Sequence, residues 1–172
     1  MVETAAGSVT LRALEPLAQV DLRVNAGRLA LPLPTAANTT ADHGGRSLLW
    51  LGPDEWLVVA PDGLQGQIER ELREALARAG TWGSVVDVSG QRAGFELAGP
   101  LAGDVLAKGC SLDLHPRSFG PARCAQTLLA RASVILWRPE APAVWRILVS
   151  SSFAPYLGEW LHDAVEEHRT HP

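Results

Sequence analysis

Apolar positions along the chain recur with two spacings. Leu64, Ile68, Leu72, Ala75, Leu76 and Ala79 share one face at a 3.6-residue period, which predicts an amphipathic helix over Leu64–Ala79. Glu69 and Arg73, Arg70 and Glu74, and Glu74 and Arg78 stand four apart on the opposite face, and Gly80 supplies the stop. A short second helix is bracketed by Pro100 and Gly109, with Leu101, Val105 and Leu106 inward. A third follows the Ser150-Ser151-Ser152 cluster, which is expected to cap it. Its stripe runs through Phe153, Leu157, Trp160, Leu161, Ala164, Val165 and His168.

Between the helices lie short runs rich in β-branched and aromatic residues, which predict strands. They are 48–51, 56–60, 85–89, 93–98, 125–129, 134–137 and 144–150. Pro53-Asp54 and Pro139-Glu140 fall where hairpin turns are needed, because proline presets the turn dihedral and a carboxylate can accept from the nearby backbone. Residues 31–45 and 111–123, with their Pro and Gly, read as loops. Residues 48–60 and 134–150 each give strand, turn, strand and then a helix. The expectation is therefore an α+β fold in a single domain, 1–172, of short antiparallel or mixed sheets with about three helices. Half-repeats fall at 8–80 and 81–168, and residues 1–7 form a flexible tail.

At 172 residues the chain can bury one good core. The net charge of −4 comes without a run of like sign, which argues against nucleic acid and anionic membrane as partners. No apolar run approaches the roughly 20 residues of a spanning helix, and Met1–Gly7 lacks the pattern of a signal peptide, so a cytoplasmic location is expected. Cys110 and Cys124 have no partners at zinc-site spacing and read as reduced thiols.

Candidate chemistry is sparse. Cys110 and His115 could form a nucleophile pair, but Cys110 sits at a predicted helix end, where nothing activates a thiolate; a turn with a half-buried thiol is the better reading. His162, His168 and His171 could suggest a metal. Six residues on a helix is about 600 degrees of rotation, which sends His162 and His168 to different faces. No glycine pattern matches a dinucleotide or phosphate loop. Catalytic, cofactor-binding and metal-binding residues are therefore all expected to be none. The six Trp stand out: about three are expected in the core, and others as interface anchors. Trp50, Trp56, Arg117, Phe119 and Arg123 are the candidate subunit-interface residues.

The runs Leu49-Trp50-Leu51-Gly52-Pro53-Asp54-Glu55-Trp56-Leu57 and Ser84-Val85-Val86-Asp87-Val88-Ser89 carry a resemblance, as do Gly99-Pro100 and Asp104-Val105-Leu106-Ala107-Lys108-Gly109-Cys110. Leu112-Asp113-Leu114-His115-Pro116-Arg117 and Cys124-Ala125-Gln126-Thr127-Leu128-Leu129 extend it. Together they closely resemble the sarcosine oxidase gamma-subunit family. Val86-Asp87-Val88-Ser89 ahead of a Gly-Pro helix is more distantly similar to the glycine-cleavage aminomethyltransferases and their folate-binding fold.

The resemblance implies a cofactor-free, non-catalytic gamma subunit of a heterotetramer that oxidatively demethylates sarcosine to glycine, with hydrogen peroxide and methylene-tetrahydrofolate formed. It implies that FAD, FMN, NAD and tetrahydrofolate sit on partner subunits, that the alpha subunit is contacted directly, and that beta and delta subunits belong to the same complex. Lys108-Gly109-Cys110 also resembles the motif of folate-dependent iron-sulfur maintenance proteins, but Ser111-Leu112-Asp113 replaces the rest of it. The alternative is a freestanding folate-binding protein or small C1-transfer enzyme, with Asp87 or Asp104 anchoring the pterin. An isolated chain could also form a homo-oligomer through the surface meant for its partner.

Overall fold

The alternation Leu17–Val24 builds the middle of one half of the molecule: Ala18, Val20, Leu22 and Val24 all face inward beneath a helix. The computed structural model describes residues 3–6 and 9–168. In chain order the strands are β1 (Glu3–Ala6), β2 (Val9–Ala13), β3 (Leu17–Val24), β4 (Thr40–His43), β5 (Arg46–Gly52), β6 (Glu55–Pro61), β7 (Gly83–Asp87), β8 (Arg92–Ala98), β9 (Arg123–Leu129), β10 (Ala132–Arg138) and β11 (Val144–Ser150). The helices are α1 (Gln65–Ala79), α2 (Ala102–Ala107) and α3 (Ala154–Glu166).

The fold is α+β, as expected. Its strands form two sheets with the orders β1-β2-β8-β11-β10-β9 and β4-β5-β6-β3-β7, and every pairing is antiparallel. The expected domain consists of two compact units, one of residues 16–90 and one of residues 1–15 with 91–172.

In the 16–90 unit, Ile68, Leu72 and Leu76 of α1 are buried against the sheet, each contributing about 1.5–3 kcal/mol from the apolar area removed from water. Helix α1 stops at Gly80, whose left-handed φ of 58° lets its N–H reach Ala77 O while Thr81 N–H reaches Leu76 O. In the other unit α2 buries Ala102, Val105 and Leu106, and α3 buries Leu157, Leu161, Ala164 and Val165. Leu97, Val134, Leu136, Trp145, Ile147 and Val149 belong to the same core.

The units and the expected halves differ in the placement of β2 and β7, and β1 joins the unit that holds β2. Reading inward from one edge, β4-β5-β6-β3-β7 matches β9-β10-β11-β8-β2 in pairing order. The strand that closes each series stands in the chain just ahead of the other sheet: β7 precedes β8, and β2 precedes β3. A cut by sequence and a cut by contact therefore fall at different places.

Four strands lie outside those expected. β1 falls in 1–7, so residues 3–6 are an edge strand on β2 instead of a tail; β2 and β3 lie in a region the motifs did not reach, and β4 interrupts the loop 31–45. At the third helix, Ser151–Phe153 form a turn of 3-10 helix and Pro155 lies in the first turn of α3, with no serine side-chain cap. Phe153, expected on the buried stripe, is exposed because it lies ahead of α3 and out of its phase.

Candidate subunit interface

Residues in the family-like motifs are tied into the chain's own framework. At the end of α2, Lys108 Nζ donates to Ala164 O at 2.8 Å and to Glu167 Oε2 at 2.6 Å, so its ammonium satisfies and charge-complements the last turn of α3. Gly109 leaves room for Trp160: a Cβ there would lie 2.6 Å from its Cζ2 and 3.0 Å from Ala130 N. Gly109 O also accepts Ala130 N–H at 2.9 Å. Cys110 is buried in the core and bridges to Leu129.

Asp87 accepts the Ser89 N–H at 2.9 Å and its hydroxyl at 2.5 Å, and these bonds hold its carboxyl below the usual range. Ser89 Oγ in turn accepts Gln19 N–H at 3.0 Å, where the ladder between β3 and β7 runs out. Asp113 accepts from Ser118 Oγ and from His115 N–H, which lowers its carboxyl likewise. His115 Nδ1 accepts the Arg117 N–H at 3.2 Å.

Cys110 and His115, set aside above as a nucleophile pair, are not brought together as one: Cys110 is enclosed in the core, while His115 is exposed and turned to its own loop backbone. His162 lies 3.8 Å from Glu166 on its own helix, and His171 lies outside the described residues. Among the described residues no group of three or more His, Cys, Asp or Glu is placed to hold a metal, and no helix is long and apolar enough to cross a membrane. Asp104 lines a groove of about 450 Å³ with Asp113, His115, Arg138 and Trp145.

The five interface candidates separate by burial. Trp56 is a core residue of the 16–90 unit and donates its indole N–H to Pro34 O at 2.8 Å. Its parity on β6 with Val58 and Ala60 places it under α1, so it presents no surface. Phe119 is likewise buried, stacked on Trp145 with centroids 5.3 Å apart, while Arg138 covers the other ring at 5.1 Å. Trp50 is half-buried against the same core as Trp56. Arg117 is exposed, and Arg123, half-exposed, begins edge strand β9.

Trp137 and Trp145 join Trp56 inside, which makes three buried Trp as expected. The surface apolar residues are others: Trp82, 96% exposed, together with Val86, Leu128, Phe153 and Tyr156. The isolation of Trp82 between the helix stop at Gly80 and Gly83 was the available signal.

On the six-stranded sheet, Glu96 receives Arg12 Nη2 at 2.7 Å and Arg146 Nε at 3.1 Å. Burial pushes this carboxyl up, but the two guanidinium bonds outweigh it and hold it below its ordinary value.

Comparison with known proteins agrees with this framework. A family model described as sarcosine oxidase, gamma subunit family, matches residues 20–167. Sarcosine oxidase subunit gamma of Arthrobacter sp is 40% identical over 174 residues, spanning 95% of this chain and 83% of that protein. Its counterpart in Corynebacterium sp. (strain P-1) is 38% identical over 179 residues, spanning 98% and 86%.

Among solved structures, a chain of heterotetrameric sarcosine oxidase from Corynebacterium sp. U-96, in complex with pyrrole 2-carboxylate, superposes with a TM-score of 0.85 at 37% identity, covering 97% of this chain and 89% of that one. The glycine cleavage system aminomethyltransferase T from Bartonella henselae shares the fold, with a TM-score of 0.69 at 16% identity over 91% of this chain and 46% of its own.

Proposed function

Because the chain belongs to the sarcosine oxidase gamma subunit family, we propose that it is a non-catalytic subunit of a heterotetrameric sarcosine oxidase. The complex would oxidise the N-methyl group of sarcosine, giving glycine and hydrogen peroxide and passing the one-carbon unit to tetrahydrofolate. In this reading the alpha subunit is the direct partner, beta and delta complete the assembly, and the flavins, the nicotinamide dinucleotide and the folate site are held by the larger chains.

One observation carries the reading. The polar residues of the family-like motifs act as fasteners: Lys108 on the end of α3, Asp87 and Ser89 on the Gln19 backbone, and Asp113 on its own loop. Residues spent on holding the framework, in a chain 40% identical to a named gamma subunit over 95% of its length, support assembly as the role. The folate-binding alternative is weakened at Asp87, whose carboxylate is already taken by Ser89.

The test is co-expression with the larger subunits of the same oxidase, capture through this chain, and an assay for sarcosine-dependent peroxide. A flavin-containing, active complex is expected, with no activity from the isolated chain. Recovery of the chain alone, with saturable tetrahydrofolate binding by calorimetry, would replace this reading with the folate-binding one.

A further inference from the structure

In the 16–90 unit one sheet edge is open, and its chemistry matches a particular kind of contact. Among the described residues strand β7 pairs only with β3 and is the last strand of its sheet. The Val88 N–H donates to Gln19 O, so alternation along the antiparallel ladder turns Ser84 and Val86 toward β3 and leaves the N–H groups of Gly83, Val85 and Asp87 facing outward. Gly83, Ser84, Val86 and Asp87 are all exposed. The outward carbonyl of Val85 accepts Arg73 Nη2 at 3.1 Å, whereas a row of outward amides invites main-chain acceptors.

The side chains beside this edge are apolar where solvent would predict polar ones. Trp82, Ser84 and Val86 share the face opposite the buried Val85; Trp82 is 96% exposed and Val86 48%. A Trp left in water forgoes the burial of some 150–250 Å² of side-chain surface, and Trp is enriched at the centres of protein interfaces. Trp82 rims a shallow cavity of about 720 Å³ with Arg23, Asn25, Pro53 and Asp54. Arg23 is compensated by Glu55 at 3.0 Å and Asp21 at 3.7 Å, so the rim has no cationic surplus for a polyanion. Amides in a row, a bare indole and balanced charge together fit a polypeptide in extended conformation.

We propose that an extended segment of a larger subunit of the oxidase adds to β7 as a further strand and buries Trp82 against that subunit. This rests on the subunit reading above. Strand addition supplies affinity through the main chain, and the indole sets position along the edge.

The test compares the co-expressed complex with the isolated chain by amide hydrogen exchange, and wild type with Trp82→Ala by capture titration. Because Trp82 is almost wholly exposed, the variant should retain the circular dichroism spectrum and Tm of wild type. The expected result is slowed exchange of the Gly83, Val85 and Asp87 amides only in the complex, with affinity about 30-fold weaker for Trp82→Ala, the loss typical of removing an interface anchor. Wild-type assembly with unchanged exchange at these amides overturns strand addition, and undiminished affinity of Trp82→Ala overturns the anchor. Failure of wild type to assemble at all would fell the subunit reading itself, and this inference with it.

Discussion

The indole of Trp160 occupies the space in which a side chain at Gly109 would stand, its Cη2 only 2.7 Å from the position of a Cβ there. Glycine is thus required at the joint between α2 and β9 by the approach of α3. Gly109→Ala should destabilise by about 1–3 kcal/mol, because Ala130 N closes the other side and neither neighbour can yield freely. Urea unfolding measures the loss, and Gly109→Ala combined with Trp160→Leu should recover part of it. An unchanged midpoint in the single variant would contradict the packing described.

Lys108 secures the same helix by its last turn. Lys108→Met keeps much of the aliphatic stem and removes the donor to Ala164 O and Glu167. Faster amide exchange is expected over the final turn of α3, with the first turn unaffected.

Trp56→Phe removes the donor to Pro34 O and part of a fully buried ring. A loss of about 2 kcal/mol is expected from the unmatched carbonyl and the vacated volume. Thermal unfolding reads it, and a change below about 0.5 kcal/mol would show that the 31–45 segment does not depend on this bond.

The Glu96 cluster makes a pH-dependent contribution of defined sign. Its carboxyl is depressed in the folded state, so the unfolded chain binds the proton more readily. Stability from this group is present above the unfolded value and is lost as pH falls through the folded one, below about pH 5. Glu96→Gln should therefore be less stable than wild type at neutral pH, and the gap should close on acidification. Taking the difference between the two proteins removes the shared contributions of Asp87 and Glu71, whose carboxyls are also lowered.

The strongly periodic parts of the fold were legible. Helix α1, its Gly80 stop and the hairpins at Pro53 and Pro139 declare themselves through local chemistry. Strand β3 was equally periodic, with Val20, Leu22 and Val24 alternating against Asp21 and Arg23, but it lies far from any distinctive motif. β2 has the same Val9, Leu11, Ala13 alternation, and its partner lies in the other half of the sequence.

Which aromatic residues reach the surface was the least legible. Arg117 and Arg123 flank Phe119 and make the loop look like a surface, yet the ring folds back on Trp145. Trp50 and Trp56 come from adjacent strands of one hairpin and are nearly indistinguishable in sequence. Burial relative to α1 distinguishes them, and Trp82, marked in the sequence by its place between Gly80 and Gly83, is left uncovered by its neighbours.

The exchange of closing strands between sheets has a consequence during synthesis. Thr10 and Ala98, register partners in β2 and β8, are 88 positions apart. At about 5–20 residues per second, β2 would leave the ribosome on the order of ten seconds before the strand that completes it. Over that interval the 16–90 segment contains every strand and the helix of its own sheet, whereas Val9–Ala13 has only its hairpin mate Glu3–Ala6. The nascent chain therefore matures from its interior segment outward, and its first strands are among the last to find their sheet.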